Sequence, residues 1–332
     1  MMDTPTLLPV IFLALMGLSM LAYVVLDGYD LGVGLLMPLA GGREQDTMVA
    51  SIGPFWDANE TWLVLGVGLL LIAFPKAQGV VLGALYLPVA LMLIGLILRG
   101  VAFDFRVKAR AAHQPAWNRL FSIGSLLASL AQGWMLGRYI TGFAEGAGPT
   151  LFAAVITLAL PAAYALLGAT WLIMKTDGAL QVRAVRWARL TWPGLVLGVG
   201  LISVVTPWVS EAVRQRWFSM PGLLALLPIP LMSAFSLLGL RALLNSHRVL
   251  GKQCWLPFVL VVLVFVMAAL GLAYSLYPDI VPGRLSVWQA AAATESLQVI
   301  LAGSVVSVPA IVVYTAFVYR IFHGKATALR YA

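Results

Sequence analysis

Charged side chains in the first third of this 332-residue chain fall at helical spacings. Asp27 and Asp30 are three apart, as are Asp57 and Glu60, and Asp104 precedes Lys108 by four, with Arg99 shortly before them. Residues three or four apart share a helix face, and an acid four before a base is the favourable order. Carboxylates so arranged can pass protons or hold ions. Imidazole is missing from the apolar stretches: His113, His247 and His323 all lie in charged segments between or after them. Histidine is the usual ligand for haem iron and many redox metals, so the chain is poorly equipped to hold either by itself. Cys254 is the single cysteine, which excludes an intrachain disulfide framework or a cysteine metal cluster. No nucleophile constellation or phosphate loop is visible, and Gly32-x-Gly34 lacks the unit that would make it a dinucleotide fingerprint.

The elements that must position these groups are membrane helices. Apolar residues make up 61% of the chain and charged ones 10%, far from the roughly 25% charged residues of soluble domains. Nine apolar runs are long enough to span: Leu7–Leu26, Trp56–Phe74, Val80–Leu98, Leu120–Ile140, Leu151–Met174, Leu190–Val209, Leu223–Leu244, Trp255–Tyr277 and Glu295–Phe322. Backbone groups in hydrocarbon must be satisfied within the segment, so the fold class is all-α integral membrane. The first run reads as a retained span, because it lacks a basic leader. Lys76, Arg138, Arg214, Arg216 and Arg284 fall on one side of a nine-helix topology, and the rest of the 21 basic residues, from Arg43 to Arg330, on the other. The positive-inside rule then puts the N-terminus outside and the C-terminus in the cytoplasm. The net charge of +8 needs only this bias and does not call for nucleic acid. Pro5-Thr6-Leu7 with Asp27-Gly28, and Pro149-Thr150-Leu151 with Asp177-Gly178, hint at an internal repeat. The expected organisation is one transmembrane domain of two pseudo-repeated four-helix bundles, residues 1–148 and 149–280. A peripheral ninth helix and tail, residues 281–332, complete it.

With that topology, Asp27 lies ~30 Å below the outer face at 1.5 Å per residue. Asp57 and Glu60 start the second span, and the short Pro75–Gly79 connection folds the third back so that Arg99 returns to their level. Asp27, Asp30, Glu60 and Arg99 thus form a buried charge cluster. Plainer readings stand beside it: first-turn acids complementing a helix dipole for Asp57 and Glu60, a solvated pair for Asp104 and Lys108, a loop turn for Asp27–Asp30. Convergence favours function, since ionisable groups at membrane depth are costly and mark ion or proton routes. Glu295, with Gln298 after it, fits a simple first-turn acid or a functional one.

Leu26-Asp27-Gly28-Tyr29-Asp30-Leu31-Gly32-Val33-Gly34, Gly53-Pro54-Phe55-Trp56-Asp57-Ala58-Asn59-Glu60-Thr61-Trp62, Phe74-Pro75 and Arg99-Gly100-Val101-Ala102-Phe103-Asp104-Phe105-Arg106 resemble subunit II of the cytochrome bd-type quinol oxidases. The motif-rich match covers roughly residues 20–108. The chain resembles the shorter members, including those of the cyanide-insensitive oxidases. The resemblance implies a haem-free subunit of a terminal quinol:oxygen oxidoreductase in the bacterial cytoplasmic membrane, surrounded by lipid. Its partner would be a haem-bearing subunit I with b- and d-type or only b-type haems, and a one-helix accessory subunit in some members. It also implies a cytoplasmic proton route through Asp57, Asp104 and Lys108, an oxygen route near Trp62, and Arg99 near the junction with subunit I. Some members hold a quinone in subunit II, and no motif here assigns one. Asp104 stands where some relatives carry glutamate, one methylene longer.

Two other classes fit the residues taken alone. A proton-coupled transporter would use the same acids, but the second half has only Glu295 as an acid within a span. A purely structural subunit would merely shield a partner from lipid.

Overall fold

The computed structural model describes residues 4–110, 112–209, 211–220 and 222–326; Arg330, counted above for sidedness, lies outside them. Among the described residues nine helices are long and apolar enough to cross a membrane. They are α1 (Thr4–Leu36), α3 (Trp56–Ala73), α4 (Pro75–Lys108), α5 (Gln114–Ile140), α6 (Ala147–Lys175), α7 (Gly178–Val209), α10 (Pro228–Leu244), α11 (Leu256–Leu276) and α13 (Thr294–Ile321). In the span of residues 222–244, α10 is preceded by the one-turn α9 (Gly222–Leu226). Shorter helices α2 (Gly42–Ile52), α8 (Glu211–Phe218) and α12 (Val287–Ala290) lie between spans. A small antiparallel hairpin, β1 (Asp279–Val281) with β2 (Leu285–Ser286), precedes α12.

Several helices outrun their apolar stretches. The first was expected to end at Leu26, yet α1 continues ten residues further, so Asp27 and Asp30 lie within a helix and not in a loop turn. Likewise α4 begins at Pro75, and the expected Pro75–Gly79 connection is already helical, with Pro75 at the first position where its missing N–H costs nothing. The same helix carries Arg99, Asp104 and Lys108 through to its last turn.

Lipid offers no hydrophobic drive for helix association, so close packing of small residues must supply it. The centre of the molecule shows this. Gly28 and Gly32 of α1 lie against α6, and a Cβ on Gly32 would sit 1.8 Å from the Tyr164 carbonyl oxygen. A Cβ on Gly168 of α6 would likewise lie 2.4 Å from the Gly32 carbonyl carbon and 2.5 Å from the Val33 nitrogen. This crossing makes α1 the hub, with α3, α5, α6, α11 and α13 packed around it. Tyr29 of α1 stacks on Trp171 of α6, with ring centroids 3.9 Å apart and planes at 15°. Helix α13 packs on α1 and α3 and is otherwise little buried. Its end is pinned where Lys175 Nζ donates to the carbonyls of Phe322 (2.5 Å) and Gly324 (2.7 Å).

Candidate functional site

The acid–base cluster forms where α1, α3 and α4 meet. Asp27 and Asp30 are on α1, one turn apart and essentially without solvent exposure. Arg99 comes back along α4 to the same level, also buried, and its Nη2 lies 2.5 Å from both Asp27 Oδ1 and Glu60 Oε1. The Glu60 side chain is 29% exposed, so the cluster reaches the surface of the subunit there. A narrow cleft beside it is lined by Asp30, Ile52, Trp56, Arg99, Phe103 and Phe121. Asp30 Oδ1 and Arg99 Nη1 are buried without a hydrogen-bond partner among the described residues.

Asn59, between the sequence-predicted Asp57 and Glu60, ties the cluster to one further helix, α13. Its Nδ2 lies 2.8 Å from Asp30 Oδ2 and 2.8 Å from the Tyr29 hydroxyl, and its Oδ1 accepts from Tyr319 at 3.0 Å. The Tyr29 and Tyr319 hydroxyls are 2.6 Å apart. Hydrogen counting fixes the directions: Tyr319 gives its single proton to Asn59, so Tyr29 must donate to Tyr319, and Asn59 donates to Tyr29. This three-membered ring is closed, and the second Asn59 proton serves Asp30 Oδ2, with the Leu26 carbonyl oxygen also 3.2 Å from Nδ2. The ring fastens the ninth helix to the acid cluster. A further buried chain, Tyr164 hydroxyl to Gln132 Oε1 (2.6 Å) and Gln132 Nε2 to Tyr23 hydroxyl (2.9 Å), joins α6, α5 and α1 one turn above Asp27.

Asp57 and Asp104 stand apart from the cluster. Asp57 is exposed in the first turn of α3, and Asp104 and Lys108 are exposed in the last turns of α4. The two ends are held together by Trp56 against Phe103, with centroids 5.1 Å apart, so the neighbours Asp57 and Asp104 share one end of the helix pair. Asp104 and Lys108 make no ion pair with each other among the described residues, although their spacing allows one; both side chains project outward. Trp62 is half-buried, and its Nε1 has no partner among the described residues. Beneath this end, Arg106 is buried, forms an ion pair with Asp46 of α2, and donates from Nε to Asn118 Oδ1 of α5 at 2.5 Å. Asn118 in turn donates to Gln45 Oε1 at 2.6 Å.

His113, His247 and His323 are all exposed at helix ends. Among the described residues no group of three or more His, Cys, Asp or Glu side chains is arranged to hold a metal ion. Glu295 is exposed in the first turn of α13.

The sequence signature of cytochrome bd terminal oxidase subunit II matches residues 8–322, nearly the whole chain. The chain belongs to that family. Cytochrome bd-I ubiquinol oxidase subunit 2 of Escherichia coli K12 is 27% identical across 94% of this chain and 93% of that protein. The probable cytochrome oxidase subunit 2 of Haemophilus influenzae is 27% identical across 93% of this chain and 92% of its own. The bd oxidase structure from Geobacillus thermodenitrificans superposes with a TM-score of 0.78 at 17% identity, covering 95% of this chain and 98% of that one, and so shares the fold. This subunit II is therefore a multi-pass component of a bacterial inner-membrane terminal oxidase that reduces oxygen with quinol electrons, and it works beside a subunit I. The oxidase carries haems as a cytochrome bd complex. The transporter reading has no support from these relationships.

Proposed function

We propose that this subunit ligates no haem and instead supplies subunit I with a proton-conducting wall. The observation that carries this reading is the pair of exposed carboxylates, Asp57 and Asp104, at one end of the α3–α4 hairpin beside the buried Arg99 cluster. Carboxylates facing hydrocarbon are costly, so these positions need water or a partner subunit against them. Substrate protons for water formation pass Asp57 and Asp104, with Lys108 collecting charge at the mouth. Trp62, with its unpartnered indole N–H, lines the route by which oxygen approaches subunit I, and Arg99 braces the wall near the junction. The exposed, end-of-helix histidines do not fit a macrocycle buried among the spans, so the b- and d-type or b-type haems belong to subunit I. The close crossing of α1 and α6 at Gly32 and Gly168 supports two related bundles, residues 1–148 and 149–280, with residues 281–332 added at the rim. An accessory single helix and the surrounding lipid would cover the remaining apolar faces.

The basic side carrying Lys108, Lys175 and the tail is cytoplasmic under this reading, and protons are consumed from it. In proteoliposomes, quinol oxidation by the purified complex should alkalinise the compartment facing the C-terminus of this subunit, as read by an entrapped pH dye. Proton uptake from the opposite compartment contradicts both sidedness and route.

A further inference from the structure

The buried cluster presents a charge imbalance that the route through Asp57 and Asp104 does not use. Asp27, Asp30 and Glu60 are three carboxyl groups served by one guanidinium, Arg99, which contacts Asp27 and Glu60 and shares the cleft with Asp30. The other titratable groups facing it are phenols: Tyr23 and Tyr29 from α1, Tyr164 from α6 and Tyr319 from α13, with Asp57 beyond Glu60 on α3. None of these supplies a positive charge. Uncompensated buried charge is strongly unfavourable, so one carboxylate can match Arg99 and two cannot remain ionised. A second observation points the same way: Asp30 Oδ1 and Arg99 Nη1 are buried, unpartnered and both border the cleft. A buried carboxyl oxygen with no donor aimed at it is costly to keep ionised, and such a group is neutralised by taking a proton.

We propose that the Asp27–Asp30–Glu60–Arg99 cluster binds two protons, making a proton store inside the oxidase. Each proton sits on a carboxyl oxygen and leaves or returns by way of Glu60 at the subunit surface, so that only O–H bonds are made and broken. Glu60 is the member that exchanges with the outside, because its side chain alone reaches the surface. The store is independent of the Asp57–Asp104 route, whose variants are read by turnover.

Infrared spectroscopy of the intact complex tests the count. Protonated carboxyl groups absorb apart from carboxylates and shift in D2O. Asp30→Asn should remove the absorption of one protonated carboxyl, Glu60→Gln should also remove one, and the double variant should remove both. The count does not depend on which acids hold the protons, since either single variant leaves two acids and one guanidinium. Glu60 is partly exposed, so Glu60→Gln remains a decisive test if Asp30→Asn assembles poorly. Unchanged carboxylic absorption in an assembled single variant overturns the proposal.

Discussion

Arg99→Leu should abolish accumulation of the assembled oxidase. The side chain is buried and is the cation in contact with Asp27 and Glu60. Removing one partner of a buried ion pair typically costs about 3–5 kcal/mol, because the remaining charge has neither water nor counter-ion. That is a large share of the roughly 5–15 kcal/mol by which proteins are stable. The cluster also lies where α1, α3 and α4 join, and its Asn59 ring holds α13, so the damage cannot stay local. The level of haem-absorbing complex and its melting temperature report the effect. Adding Asp27→Asn to Arg99→Leu should recover part of the loss, since it removes one of the acids left without a counter-ion. Normal assembly with a normal haem spectrum in Arg99→Leu would show that the cluster is not ionic in the way its geometry indicates.

The second large effect concerns rate without assembly. Asp57→Asn and Asp104→Asn change exposed side chains with no ion pair among the described residues, so the fold should tolerate both. Each should slow oxygen consumption about tenfold, below the ~10²–10⁴-fold that a positioned proton-transfer group contributes, because water can still reach an exposed route. Haem spectra of the purified complexes should stay intact. Lys108→Met should have a smaller effect of the same kind. Unchanged turnover in both aspartate variants would leave a shielding role for this subunit and no proton route through these positions.

Much of this was legible in the sequence. The nine spans follow from apolar length, and the convergence of Asp27, Asp30, Glu60 and Arg99 follows from counting residues along antiparallel helices. The end of α1 was not legible. Asp27-Gly28-Tyr29-Asp30 has turn chemistry, and only the packing of Gly28 and Gly32 against α6 explains why the helix runs on to Leu36. Local propensity yields there to a tertiary contact. Asp104 and Lys108 misled in the opposite sense: their spacing is that of an ion pair, but rotamers and exposure decide whether one forms. Asn59 lay between two highlighted acids and could have been suspected as a buried amide. Tyr319 carried no signal, since its partners are Tyr29 and Asn59, 290 and 260 residues earlier. The same holds for Arg106, whose partners Asp46 and Asn118 lie on other helices.

The most direct measurement is the haem content and oxygen consumption of this polypeptide purified from cells lacking subunit I. A proton-conducting, iron-free wall should come off the column colourless and inert towards oxygen. Recovery of one haem per chain, with quinol-driven oxygen uptake, would contradict it.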